Sequence, residues 1–87
     1  MSPTTTQTIS PETAVKAALD YLVKVSPDSD RLSKFNVEEI KKDQERNYII
    51  TISYEIQGEF TFDRRREYKD FKIAKDGTVE EMTIRKI

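Results

Sequence analysis

Eighty-seven residues with 15 Lys+Arg, 16 Asp+Glu, no His and no Cys allow one small domain and exclude disulfide, thiol, zinc-knuckle and histidine-based chemistry. Leu, Ile, Val and Phe supply 21 of the 87 residues and the net charge is −1. That is above the one-fifth or so of apolar residues below which highly charged chains stay unfolded, so a thin core is expected.

Residues 1–9 read as a disordered tail, because Thr, Ser, Pro and Gln dominate and only Ile9 is apolar near the end. A single α+β domain is expected over 10–87. Ser10 is placed to cap a helix, Pro11 suits its first position, and Glu12 puts negative charge at the positive end of the dipole. Ala14, Val15, Ala18, Leu19, Leu22 and Val25 recur at three- and four-residue steps and form one apolar stripe. Ser26-Pro27 stops the helix, since the residue before Pro disfavours helical dihedrals.

Beyond the polar loop 28–31 the period changes to two. A first strand is expected near 34–43, with Phe35 and Val37 alternating and Ile40 one step out of phase. That slip implies a bulge around Glu38-Glu39. A turn over Asp43–Asn47 leads to the strongest signal in the chain. Tyr48, Ile50, Ile52, Tyr54 and Ile56 share one strand face, while Ile49, Thr51, Ser53 and Glu55 share the other. Such alternation predicts a sheet buried on one side and wet on the other. Both tyrosines are then expected at the core edge with their hydroxyls in water.

A third strand runs to about Ala74. Asp76-Gly77 signals a tight hairpin in which Lys75 faces Thr78, Phe71 faces Met82 and Lys72 faces Glu81 on a last strand near 78–86. Pairing Ile50 with Phe71 sets Tyr48 beside Ile73 and Glu55 beside Arg66, and leaves a loop of about 57–64 that carries Phe60 and Phe62. The expected architecture is one N-terminal helix packed on a four-stranded antiparallel β-meander.

The helix-then-meander order, the alanine-spaced helix (Ala14, Ala18) and the closing hairpin Tyr68–Val79 resemble PepSY-type modules, which have a broadly cystatin-like α+β layout. The resemblance covers most of 11–86, extends to small bacterial proteins without an assigned activity, and implies a module that restrains a peptidase. The chain departs from the pattern in its shortened turn, Lys75-Asp76-Gly77, and in an N-terminus that does not read as an export signal.

Three groups of residues invite a chemical reading. Asp63–Asp70 mixes Arg64, Arg65, Arg66 and Lys69 with three acids and Tyr68. Alternate residues of a strand point to opposite faces, so the arginines cannot make one patch, which argues against nucleic acid. Glu38, Glu39, Asp63 and Asp70 lack calcium-loop spacing, and so thin a body offers no deep pocket to perturb a carboxyl. Phe60 and Phe62 have two placements. The first expected is beneath the sheet, capping the core; the other is outward, as anchors for a partner.

The reading that results is a non-enzymatic binding module that modulates another protein, with no cofactor, no metal and no membrane span, in the cytoplasm, as a monomer or weak dimer. Its candidate partner-contact residues are Phe60, Phe62, Arg64, Arg66 and Tyr68. A weak small-ligand or nucleic-acid binder and an oligomerising structural protein are the alternatives.

Overall fold

The computed structural model describes residues 9–60 and 62–85. Helix α1 (Pro11–Val25) is followed by a short 3-10 turn (Ser29–Arg31) and strands β1 (Leu32–Lys42), β2 (Tyr48–Gln57), β3 (Arg64–Ile73) and β4 (Val79–Arg85). The strands form one antiparallel sheet in the order β1-β2-β3-β4. The chain is therefore an α+β protein of one helix and a four-stranded meander. The expected tail lies outside the described residues except for Ile9, which belongs to the fold. Its N–H donates to the Lys75 carbonyl at 3.1 Å, its carbonyl accepts from the Tyr48 hydroxyl, and its side chain packs on the core.

The helix begins as its sequence dictates. The Ser10 side chain accepts from the Thr13 N–H at 3.1 Å, satisfying one of the orphan amides of the first turn. Ala14, Ala18 and Leu22 are fully buried, and the two alanines let the axis lie close to the sheet. Val25, expected on the stripe, is exposed. The helix packs chiefly on β2, β3 and β4, so Phe35, Val37 and Ile40 on β1 stay exposed although they share the helix-side parity. Tyr48, Ile50, Ile52, Tyr54, Phe71 and Ile73 complete the core.

The expected β2–β3 register holds throughout: Ile50 faces Phe71, Tyr48 faces Ile73 and Glu55 faces Arg66. The bulge between Val37 and Glu39 is present, and a second lies between Ser33 and Asn36, where Lys34 adopts φ 54°. The left-handed conformation at Lys34 takes its carbonyl out of the ladder, and the Arg66 guanidinium donates to it at 3.1 Å.

The closing hairpin corrects the expected two-residue turn. Ala74, not Lys75, faces Thr78. The Ala74 N–H donates to the Thr78 carbonyl at 2.7 Å, and the Gly77 N–H returns to the Ala74 carbonyl. Three residues make the loop, with Gly77 at φ 100°, a conformation that costs glycine little. A bulge between Lys72 and Ile73 then restores the expected pairing of Lys72 with Glu81 and Phe71 with Met82.

Two aspartates staple turns. Asp43 accepts from the Glu45 and Asn47 N–H groups, both at 2.9 Å, and Asp76 accepts from the Thr78 N–H at 2.9 Å. Desolvation opposes the Asp43 charge, but the bonds from Asn47 and Glu45 outweigh it and hold the carboxyl below its ordinary range. The Thr78 donors hold Asp76 down likewise.

Two outcomes follow from this packing. Ile52→Ala and Leu22→Ala should each cost about 2–4 kcal/mol in urea unfolding, as deletions of fully buried aliphatic groups do. Leu19, only half-buried, should cost less. The depressed Asp43 and Asp76 contribute fully above their unfolded value of 3.8 and lose that contribution as pH falls through the lower folded values. The urea midpoint should therefore be lower at pH 3 than at pH 6, and an acid-stabilised protein would contradict the turn assignment.

Candidate interaction surface

The β2–β3 connection is short and shaped by its own backbone. Gln57 pairs with Arg64, the Gly58 N–H donates to the Asp63 carbonyl at 2.6 Å, and the Asp63 N–H donates to the Phe60 carbonyl at 2.9 Å. A side chain at position 58 would meet the Asp63 carboxylate and oblige that exposed side chain to move. This turn throws both phenylalanines outward. Phe60 is 58% exposed and Phe62 84% exposed. Their rings stack on each other, 5.4 Å between centroids and 9° from parallel. The core-capping placement expected first is thus overturned. Tyr54, buried at this end, takes the core position instead of either ring.

The five candidate contact residues separate into two groups. Phe60, Phe62 and Arg64 stand together at the hairpin tip, all exposed. Arg66 and Tyr68 lie on the open sheet face, half-buried in a polar layer. There the Arg66 guanidinium donates to the Ser53 hydroxyl at 2.9 Å and pairs with Glu55 at 3.8 Å. Ser53 donates to Glu38, and Thr51 donates to Asp70. Arg85 pairs with Asp70 at 3.1 Å and with Glu39 at 3.5 Å. The last contact joins β4 to β1, strands that a flat sheet would hold about 14 Å apart at ordinary inter-strand spacing. Both side chains therefore lean inward over the middle of the sheet to meet.

That layer buries Thr51 and Ser53 completely, whereas the alternation of β2 had implied a wet face. The exposed ion pairs are individually worth little. Their larger effect is to satisfy two buried hydroxyls, which would be costly to leave unpaired. One Glu55 oxygen is buried without a hydrogen bond, and the Lys34 ammonium lies 3.7 Å from it. Glu38, Glu39 and Asp70 are each engaged in this layer rather than gathered into one site. Among the described residues no group of three acidic side chains is placed to hold a metal ion.

The tyrosines correct a second expectation. Tyr48 and Tyr54 are buried, and their hydroxyls meet protein acceptors, the Ile9 carbonyl and the Glu67 carboxylate at 3.0 Å. Burial, followed by the Glu67 hydrogen bond and charge, pushes the Tyr54 phenol far above its ordinary range. Beside it an open cleft of about 210 Å³ is lined by Leu32, Tyr54, Ile56, Arg65, Glu67 and Lys69 at the C-terminal end of α1. Ligand pockets usually run from about 300 Å³ upward. Glu67 is already held by Tyr54 and by Arg65 at 3.6 Å, so its carboxylate is engaged within the protein.

The charges that β3 turns toward the helix side, Arg65, Glu67 and Lys69, were legible in principle. They follow from carrying the Ile50–Phe71 register outward along alternate residues. The outward aromatic pair had no comparable signal, because ring direction in a turn depends on its backbone path.

The chain matches no family model, no curated protein and no solved structure. Among the described residues no helix is long and apolar enough to cross a membrane.

Removing the hydroxyl in Thr51→Val should lower stability by about 1 kcal/mol, the usual net worth of such a bond, although the methyl groups fill the same space. A variant as stable as the parent in urea would mean that the polar layer does not depend on this contact.

Proposed function

We propose that the protein is a small non-enzymatic binding module whose β2–β3 hairpin tip inserts Phe60 and Phe62 into an apolar recess on a protein partner. The observation that carries this reading is the exposure of the two stacked rings. Apolar surface gains roughly 25 cal/mol for each Å² removed from water. Two adjacent aromatic side chains left in solvent therefore hold an unused gain that a complementary pocket would realise. Single exposed apolar residues are ordinary. Here two rings share one tip, fixed relative to each other by stacking, with little left to order on binding.

The rim suits a selective contact. Glu59 and Asp63 supply negative charge while Arg64 and Arg65 supply positive charge, so the tip is neutral overall and favours neither a strongly acidic nor a strongly basic partner. Aromatic anchors beside arginine commonly carry most of an interface's energy. Arg66 and Tyr68, engaged in the polar layer, would contribute through the shape of the sheet rather than by direct contact. Restraint of a peptidase, the role that the PepSY resemblance implies, is one use of such a tip, with the two rings occupying an apolar subsite.

The test separates binding from folding. Phe60→Ser with Phe62→Ser should leave the unfolding midpoint within about 0.5 kcal/mol of the parent, as surface changes do. The same double variant should bind a protein captured by the parent at least about tenfold more weakly, as hot-spot losses do. Retention of every captured protein by the double variant, or a loss of several kcal/mol in stability, would remove the tip from the interface.

A further inference from the structure

The two edges of the sheet are built differently. Edge β1 carries two bulges, a left-handed Lys34, and Lys41 and Lys42, all devices that discourage a further strand from adding. Edge β4 has none of them between Glu81 and Arg85. These five residues hold unbroken register with β3 and contain no Pro, Gly or Lys. Among the described residues no strand pairs with the outer side of β4. Ile84 on this edge is 67% exposed, although it lies on the helix-side face.

The sequence of that edge is complementary to itself when reversed. An antiparallel partner of the same sequence, centred on Thr83, sets Glu81 against Arg85, Met82 against Ile84 and Thr83 against Thr83. The faces agree as well. Register with β3 puts Glu81, Thr83 and Arg85 on the open face with Lys72, Asp70 and Tyr68, and puts Met82 and Ile84 on the helix side with Phe71 and Lys69. Directly opposed residues of an antiparallel pair project from the same face, so acid meets base on one side and apolar meets apolar on the other. A two-fold axis through Thr83 repeats each favourable pairing twice.

We propose that β4 pairs with β4 of a second copy, making a continuous eight-stranded antiparallel sheet. The occupant is another molecule of this chain because the edge matches its own reversed sequence in both charge and apolarity. The exposed Ile84 would then lie against Met82 of the second copy, and Glu81 would join the Arg85 end of that copy's polar layer. The pairing spans only five residues on each side, so the dimer is weak and depends on concentration. It leaves Phe60 and Phe62 outside the contact and sends the two hairpin tips toward opposite ends of the dimer.

The experiment uses the absence of cysteine from the chain. Thr83→Cys places one thiol on the two-fold axis, opposite its copy, where a directly opposed pair stands about 4.5–5.5 Å apart. Under mild oxidation it should form a disulfide dimer at least about tenfold faster than Glu81→Cys, whose copies would lie about four residue spacings apart, roughly 13 Å. Sedimentation of the parent from roughly 10 μM to 1 mM should show a monomer–dimer equilibrium of the weak, small-interface kind. Ile84→Lys, a change at an exposed position, should keep the parent's melting curve and shift that equilibrium at least about tenfold toward monomer, since it replaces an apolar pair twice. The Phe60→Ser, Phe62→Ser variant should dimerise like the parent. A monomer throughout the range, equal crosslinking at 81 and 83, or a dimer lost in the phenylalanine variant but kept in Ile84→Lys would overturn the β4 contact. None of these results bears on partner capture by the tip.

Discussion

Strand β2 is buried on both faces, and the rest of the domain is arranged to make that possible. Toward the helix it presents Ile50, Ile52 and Tyr54, covered by Ala14, Ala18 and Leu22. Toward the open side it presents Thr51 and Ser53, covered by long charged side chains from β1, β3 and β4. The two cover layers work by different physics. The helix layer removes apolar surface from water. The polar layer supplies acceptors and donors to hydroxyls that burial would otherwise leave unpaired. A domain of this size has one thin core, and placing β2 second in the sheet lets both layers serve it.

Most of this plan was legible because β2 announces its period and the register propagates from it. Once Ile50 faces Phe71, the positions of Arg66, Tyr68 and Glu55 follow by alternation, and the Phe71–Met82 pairing fixes β4. The helix was legible for local reasons: a capping serine, a first-turn proline and an Ala-rich stripe. What failed to show depended on side-chain reach or on backbone path in turns. The burial of Thr51 and Ser53 arises because Glu38, Arg66 and Arg85 lean over them, and alternation alone marks those positions as wet. The second β1 bulge rests on a left-handed Lys34 that has no compositional signature. The outward direction of Phe60 and Phe62 rests on the Gly58–Asp63 backbone bond, which also lay beyond pattern reading.

Among the described residues, two exposed features lie at the margins of the sheet. The hairpin tip holds an exposed aromatic pair, and the β4 edge holds an exposed Ile84 and open backbone groups. Neither is needed to close the core, and we propose each as a contact with another molecule, the tip with a partner and the edge with a second copy. They are separated along the molecule, so one can be altered without the other. Among the described residues, the bulges and lysines of the β1 edge discourage a further strand, whereas Glu81–Arg85 of β4 carries no such device.

The doubly covered β2 can be examined directly by native-state amide hydrogen exchange, which reads the opening free energy of each element. Amides of Ile50–Tyr54 should exchange only through global unfolding, at the free energy obtained from urea melts, while those of Glu59, Phe60 and Phe62, outside the ladder, should exchange far faster. The contrary result would be β2 amides that open well below the global free energy together with a protected tip. That would mean that the polar layer does not seal the open face and that the phenylalanines, rather than β2, hold the fold together.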